Sequence, residues 1–235
     1  YSWASHFDQS RFDRGLKSKI YPQAPAGLIF PGDDGYPGRG TTDSKMAQFA
    51  PRLGAIWTPG QDGNTSIRAG WGVFYDTPHL FFNTRFANNP PWGAQITIPN
   101  PAGGWADPYQ TYPGGNPFPA LNTDWATAAF PAFGVYVNAP LDIKPTALQQ
   151  WNVSAQRQVG DWMLAATYLG NRSVNLWRAT ELNPAVFVAG ATTGNTNARR
   201  LLIRQNPVEG QFYGTIGQVD DTGRGNYHGM LLSAQ

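Results

Sequence analysis

Between Phe49 and Thr58 apolar and polar positions alternate, with Phe49, Leu53, Ala55 and Trp57 on one face and Arg52, Gly54 and Thr58 on the other. A period of two is the signature of a strand with two unlike faces. The segment Pro59-Gly60-Gln61-Asp62-Gly63-Asn64 has turn chemistry. After it Ile67, Ala69, Trp71, Val73 and Tyr75 alternate with Ser66, Arg68, Gly70, Gly72 and Asp76, and Phe74 is the one bulky residue on the polar face. The pattern predicts strands near 48–58 and 65–76 joined as a hairpin. A second hairpin is predicted near 148–159 and 162–171. Trp151, Val153, Ala155 and Val159 alternate with Gln150, Asn152, Ser154, Gln156 and Gln158, Gly160-Asp161 forms the turn, and Trp162, Leu164, Ala166 and Tyr168 return. Arg157 interrupts the apolar face, where its long stem can snorkel to a membrane interface. A last strand, near 226–235, places Met230 and Leu232 on one face and stops in mid-element.

The connections are unequal. Two are turns of a few residues, whereas 1–46, 77–147 and 172–225 read as long loops, beyond the ~12–15 residues of a plain loop in a compact domain. Short turns at one end and long loops at the other are the asymmetry of outer-membrane barrels. The expected fold class is therefore all-β: antiparallel hairpins of a transmembrane β-barrel, a partial, open sheet with long extracellular loops. Strand parity predicts that Trp57, Trp71, Tyr75, Trp151, Val153 and Leu164 share the convex face, and Arg52, Arg68, Asp76, Asn152 and Gln156 the concave one.

Composition narrows the alternatives. The 27 glycines and 20 prolines interrupt long helices, and 14% charged residues is well below the ~25% of soluble domains. A net charge of +2 without a basic stripe argues against nucleic acid as a partner. There is no cysteine, which removes disulfides and thiolate metal sites. No apolar run reaches the length of a membrane helix, but barrel strands escape such scans. The chain opens at Tyr1-Ser2-Trp3 without an initiator Met or signal peptide, so it reads as the middle of something longer.

Candidate chemistry is sparse. His6, His79 and His228 have no second ligand at metal spacing, and Asp33-Asp34-Gly35 and Asp220-Asp221-Thr222-Gly223 lack the alternating ligands of a calcium loop. Gly70-Trp71-Gly72 lies within a strand and cannot cradle a phosphate. Asp107, Asp124, Asp142 and Glu181 leave a carboxylate pair open on spacing alone. The long loops mix proline with aromatics, as in Asn89-Pro90-Pro91-Trp92, Trp105-Ala106-Asp107-Pro108-Tyr109 and Phe130-Pro131-Ala132-Phe133. Such loops are expected to be folded, their rings either packing together or lining a ligand surface.

Four stretches carry a resemblance: Tyr21-Pro22-Gln23-Ala24-Pro25-Ala26-Gly27-Leu28-Ile29-Phe30-Pro31-Gly32-Asp33; Phe49-Ala50-Pro51-Arg52-Leu53-Gly54; Thr65 to Asp76; and Gln149 to Arg157 with Tyr168-Leu169-Gly170-Asn171. In this order they resemble the barrel of the Oar-like, carboxypeptidase-regulatory-like domain-containing TonB-dependent receptors. The resemblance implies a fragment, residues 1–235, of a barrel of about 22 strands in the outer membrane of a Gram-negative bacterium. Its implied activity is to bind and import a small molecule, glycan or peptide, without catalysis or cofactor. The implied partners are outer-membrane lipid and, through parts outside this chain, the TonB complex. Trp92, Trp105, Tyr109, Tyr112 and Trp125 are the expected ligand contacts. A soluble carbohydrate-binding or glycosidase β-sandwich and an outer-membrane adhesin are the alternatives.

Overall fold

The computed structural model describes residues 4–36, 38, 42–76, 84–116, 118, 124 and 126–235. The strands in chain order are β1 (His6–Phe7), β2 (Leu28–Ile29), β3 (Arg52–Trp57), β4 (Thr65–Tyr75), β5 (Gly134–Asn138), β6 (Ala147–Val159), β7 (Trp162–Glu181) and β8 (Tyr213–Ala234). β1 and β2 form a small antiparallel pair, and the other six lie in the order β3-β4-β6-β7-β8-β5. The sheet does not close: β3 and β5 end that order.

The chain divides into two compact units, one of residues 1–44, 79–143 and 179–219, the other of 45–78, 144–178 and 220–235. In the second unit β3, β4, β6 and β7 pair antiparallel without a register shift. Met163 and Gln235 exchange both backbone hydrogen bonds, which ties β8 to β7. Among the described residues of this unit only Gly72, Gly170 and Asp220 are buried. It is one layer of sheet with no interior.

The first unit has one. Phe7, Phe12, Tyr136, Tyr213, Leu202 and Ile216 are buried together with Tyr21, Leu28 and Phe30. Side chains do the work of regular structure there. The Asn89 amide both donates to the Val137 carbonyl and accepts from its N–H, each at 2.8 Å, as a neighbouring strand would. Asn183 donates to Tyr213 O and Gly214 O and accepts from Leu202 N. Asp33 accepts from Ser18 Oγ, Lys19 N and Phe30 N. A buried polar group must find such partners.

Several boundaries differ from the sequence reading. β3 begins at Arg52 rather than near 48, because Pro51 has no N–H for the ladder; its carbonyl still accepts from Val73 N. Residues 172–225 are not one long loop. β7 continues to Glu181 and β8 starts at Tyr213, through residues whose glycines, aspartates and positive-φ Asn175 (φ 54) read locally as turn. Cross-strand pairing overrides that local preference. The 1–46 segment contains β1 and β2, and 77–147 contains β5, which pairs parallel with β8 where antiparallel hairpins alone were expected.

Burial fixes the titration of this unit. It pushes the Tyr112 phenol up to about 12, with Tyr109 adding to the rise, and it pushes Tyr136 and Tyr213 up as well. A raised folded-state value means the neutral phenol is preferred in the fold. Its contribution is complete below the unfolded value of ~10 and is lost as pH climbs through ~12. In an alkaline titration these three tyrosines should ionise together with loss of near-ultraviolet circular dichroism. Ionisation near 10 with the structure retained would contradict this.

Candidate functional site

Directly opposed residues of a sheet share a face. The pairs Leu53–Trp71, Trp57–Ile67, Trp71–Trp151, Val153–Tyr168 and Arg157–Leu164 place Trp57, Trp71, Tyr75, Trp151, Val153 and Leu164 on one face, as parity predicted. Arg52, Arg68, Asn152 and Gln156 take the other; Asp76 lies one residue past the end of β4. The apolar face is uncovered within its unit, with Trp57, Trp71, Val153, Leu164 and Tyr168 all exposed.

The irregularities of the two faces are local packing solutions. Phe74, the bulky exception, lies under the Arg52 guanidinium at 4.8 Å, a cation–π contact. Both side chains fold over Gly72, where a Cβ would meet Phe74 at 3.1 Å and Arg52 at 3.3 Å. On the apolar face Trp151 stands opposite Gly170, and its ring would lie 2.6 Å from a Cβ there. Gly170 is thus the seat of an indole. Thr167 Oγ1 donates to Ser154 Oγ at 2.9 Å on the polar face.

The first unit separates the aromatics expected to meet ligand. Trp92 is part-buried and packs edge-on against Tyr21 and Phe30. Tyr112 is buried, its hydroxyl donating to Ala132 O. Trp105 is 100% exposed. It sits at the tip of a tight turn whose base is the Gly103–Asp107 bridge, and Asp107 N donates to Gly103 O at 3.1 Å. Trp105 and Tyr109 line a groove of about 530 Å³ with Ile96, Ile98, Asn100 and Pro108. Tyr109 in turn rests edge-on against Tyr112. Trp125 lies outside the described residues. The sequence reading missed Ile96, Ile98 and Asn100; Asn100 has a positive φ of 49, and the short Ile-x-Ile alternation was the available signal.

No group of three potential metal ligands exists among the described residues. His6 is buried with Nδ1 3.0 Å from Ala139 O, and His228 Nδ1 lies 2.7 Å from the Tyr168 hydroxyl; His79 is outside the described residues. Of the four carboxylates left open by spacing, Glu181 and Asp124 hold nearby backbone N–H groups, and Asp220 of the calcium-loop-like stretch is likewise engaged locally. Glu181 accepts from Asn183 N and Ile216 N, and Asp124 from Ala126 N. Asp220 accepts from Thr222 N and Oγ1 and pairs with Arg178 at 3.4 Å.

A sheet of one layer with an uncovered apolar face and a polar face defines a membrane-barrel wall. The family model for an outer membrane beta barrel domain matches residues 2–235: the chain belongs to that family, and its place is the outer membrane of Gram-negative bacteria. No curated protein matches the chain. Among solved structures it is similar to the siderophore receptor PirA from Pseudomonas aeruginosa, at 15% identity and TM-score 0.37 over 78% of this chain and 24% of that one. PirA from Acinetobacter baumannii follows at 13% and 0.38 over 79% and 20%. The ferric enterobactin receptor PfeA in complex with BCV-L6 stands at 12% and 0.39 over 78% and 19%. The chain spans less than a quarter of the length of each.

Proposed function

We propose that this chain is part of the barrel wall and external loops of an Oar-like TonB-dependent receptor, which binds a small molecule, glycan or peptide and imports it across the outer membrane. The observation that carries the reading is the pairing of a coreless two-faced sheet with connections that fold around a core of their own. Short connections follow β3 and β6, while the segments 1–44, 79–143 and 179–219 together build the aromatic cluster. The motifs that resemble the Oar-like group also meet in register: Leu53, Trp71, Trp151 and Gly170 form one row across four strands. Coupling to TonB is proposed to be made by other parts of the protein.

Ligand contact is assigned to Trp105 and Tyr109, with Trp92 and Tyr112 as the packing that holds their loops. The test uses cells expressing the full-length protein and compares uptake of labelled oligosaccharides and peptides. For whichever is taken up, Trp105→Ala should weaken binding about 30-fold, the effect of truncating a central aromatic contact. Unfolding should be unchanged, since Trp105 covers nothing. Recovery of the protein in a soluble fraction sinks the receptor reading, and unaltered binding by the variant sinks the site.

A further inference from the structure

The apolar face of the sheet carries a charge close to its tight-turn end. Arg157 stands there opposite Thr65 on one side and Leu164 on the other. It is exposed, and among the described residues no carboxylate pairs with it. Next to it the surface sinks. The adjoining row runs Ile67, Ala155, Ala166, and Leu232 of β8 closes it, leaving a trough of about 630 Å³ between Ile67, Leu164 and Leu232 with two alanines as its floor.

We propose that this trough is a phospholipid site in which Arg157 holds the phosphodiester and the alanine floor receives an acyl chain. The inference rests on reading the sheet as membrane-spanning. Three features fit that occupant. First, the two alanines sit on adjacent strands about 5 Å apart, so large side chains wall a channel on the width scale of one hydrocarbon chain. Second, a guanidinium matches phosphate oxygens with a planar fork of donors, and among the described residues no carboxylate pairs with Arg157. Third, Arg157 lies just before the Gly160-Asp161 turn, and short turns of such barrels face the periplasm. The site therefore opens to the phospholipid leaflet. A charge that interrupts the apolar alternation becomes a headgroup anchor beside a chain slot.

The test uses the full-length protein in detergent and three probes: a diacyl phosphatidylglycerol, the diacylglycerol with the same chains, and inorganic phosphate. Phosphatidylglycerol should bind about tenfold more tightly than diacylglycerol, the worth of one charge-assisted hydrogen bond, and phosphate alone should not bind. Arg157→Gln should erase the tenfold preference, and Arg157→Lys should retain part of it. Ala166→Leu should weaken both lipids while keeping their ratio. Equal binding of the two lipids, or an Arg157→Gln protein that still discriminates, overturns the proposal and marks Arg157 as a snorkelling side chain only. A full-length protein that stays soluble without detergent would instead remove the membrane-spanning reading beneath it.

Discussion

Tyr213→Ala is expected to destabilise the first unit by about 3–5 kcal/mol, the usual consequence of deleting a fully buried aromatic ring. Tyr213 is 0% exposed. Its ring meets Phe7 and Phe12 edge-on, with centroids 5.2 and 5.8 Å away, and Tyr136 at 5.2 Å. Its hydroxyl donates to Ala26 O at 2.6 Å. The truncation thus leaves a cavity where three chain segments meet, those of 1–44, 79–143 and 179–219. Tyr213→Phe keeps the ring and loses the hydrogen bond, for about 1 kcal/mol. Limited proteolysis of the full-length protein should show the difference. In the alanine variant Lys17, Lys19, Arg85 and Arg199 should become rapid cleavage sites, while the second unit, which has no core to lose, keeps its resistance. Equal digestion of the alanine variant and the unaltered protein would mean that this aromatic cluster does not hold the unit together.

The sheet was legible because a strand announces itself within a few residues. The alternation around Trp71 and around Trp151 needs no knowledge of the partner strand, and parity then assigns every face. Legibility ended where pairing rather than pattern makes the strand. Between Arg172 and Glu181 the positive φ of Asn175 interrupts alternation, and from Tyr213 to Gly225 glycines and aspartates mimic a loop. The core of the first unit was hidden for a related reason. His6 meets Ala139, Phe7 meets Asn138, and Ala26 meets Glu209, partners more than a hundred residues apart whose meeting no local period encodes. The Tyr21 to Asp33 stretch was visible as a resemblance, but its physical role is to supply Tyr21, Leu28 and Phe30 to that core.

The aromatics proposed for ligand contact were legible as loop residues, and which of them stay open to solvent was not. Trp92, Trp105, Tyr109 and Tyr112 lie in similar proline-rich surroundings, and composition gives each the same claim on a ligand. What separates them is whether a neighbour covers the ring. Trp92 has Tyr21 and Phe30, and Tyr112 has Ala132 O and Phe133. Trp105, at the tip of its bridged turn, is covered by nothing. The distinction depends on the fold of Tyr21 and Phe30, far away in sequence.

Val153→Arg is expected to destabilise the assembled full-length protein by about 1–3 kcal/mol, the penalty for a cation on the lipid face between interface and midplane. The position follows from the sheet. Trp71 and Trp151 stand side by side at one level, and Trp162 opposes Val159 beside the tight turn at another. From Trp151 to Val159 the strand runs about 26 Å, which a ~40° tilt reduces to about 20 Å of height, close to the ~25 Å apolar band of such barrels. Indole rings settle at headgroup level, so Val153, in the row Ala69–Val153–Tyr168 and 46% exposed, lies inward of that level on the hydrocarbon side. The same arginine at Val159 should cost only about 0–1 kcal/mol, because it reaches the interface. Ser66→Arg should be nearly silent: Ser66 opposes Gln156 on the polar face, where a charge stays hydrated. The three variants are compared by the midpoint of urea unfolding in lipid vesicles. If Val153→Arg and Ser66→Arg shift the midpoint equally, the two faces meet the same medium, and the sheet does not divide lipid from water.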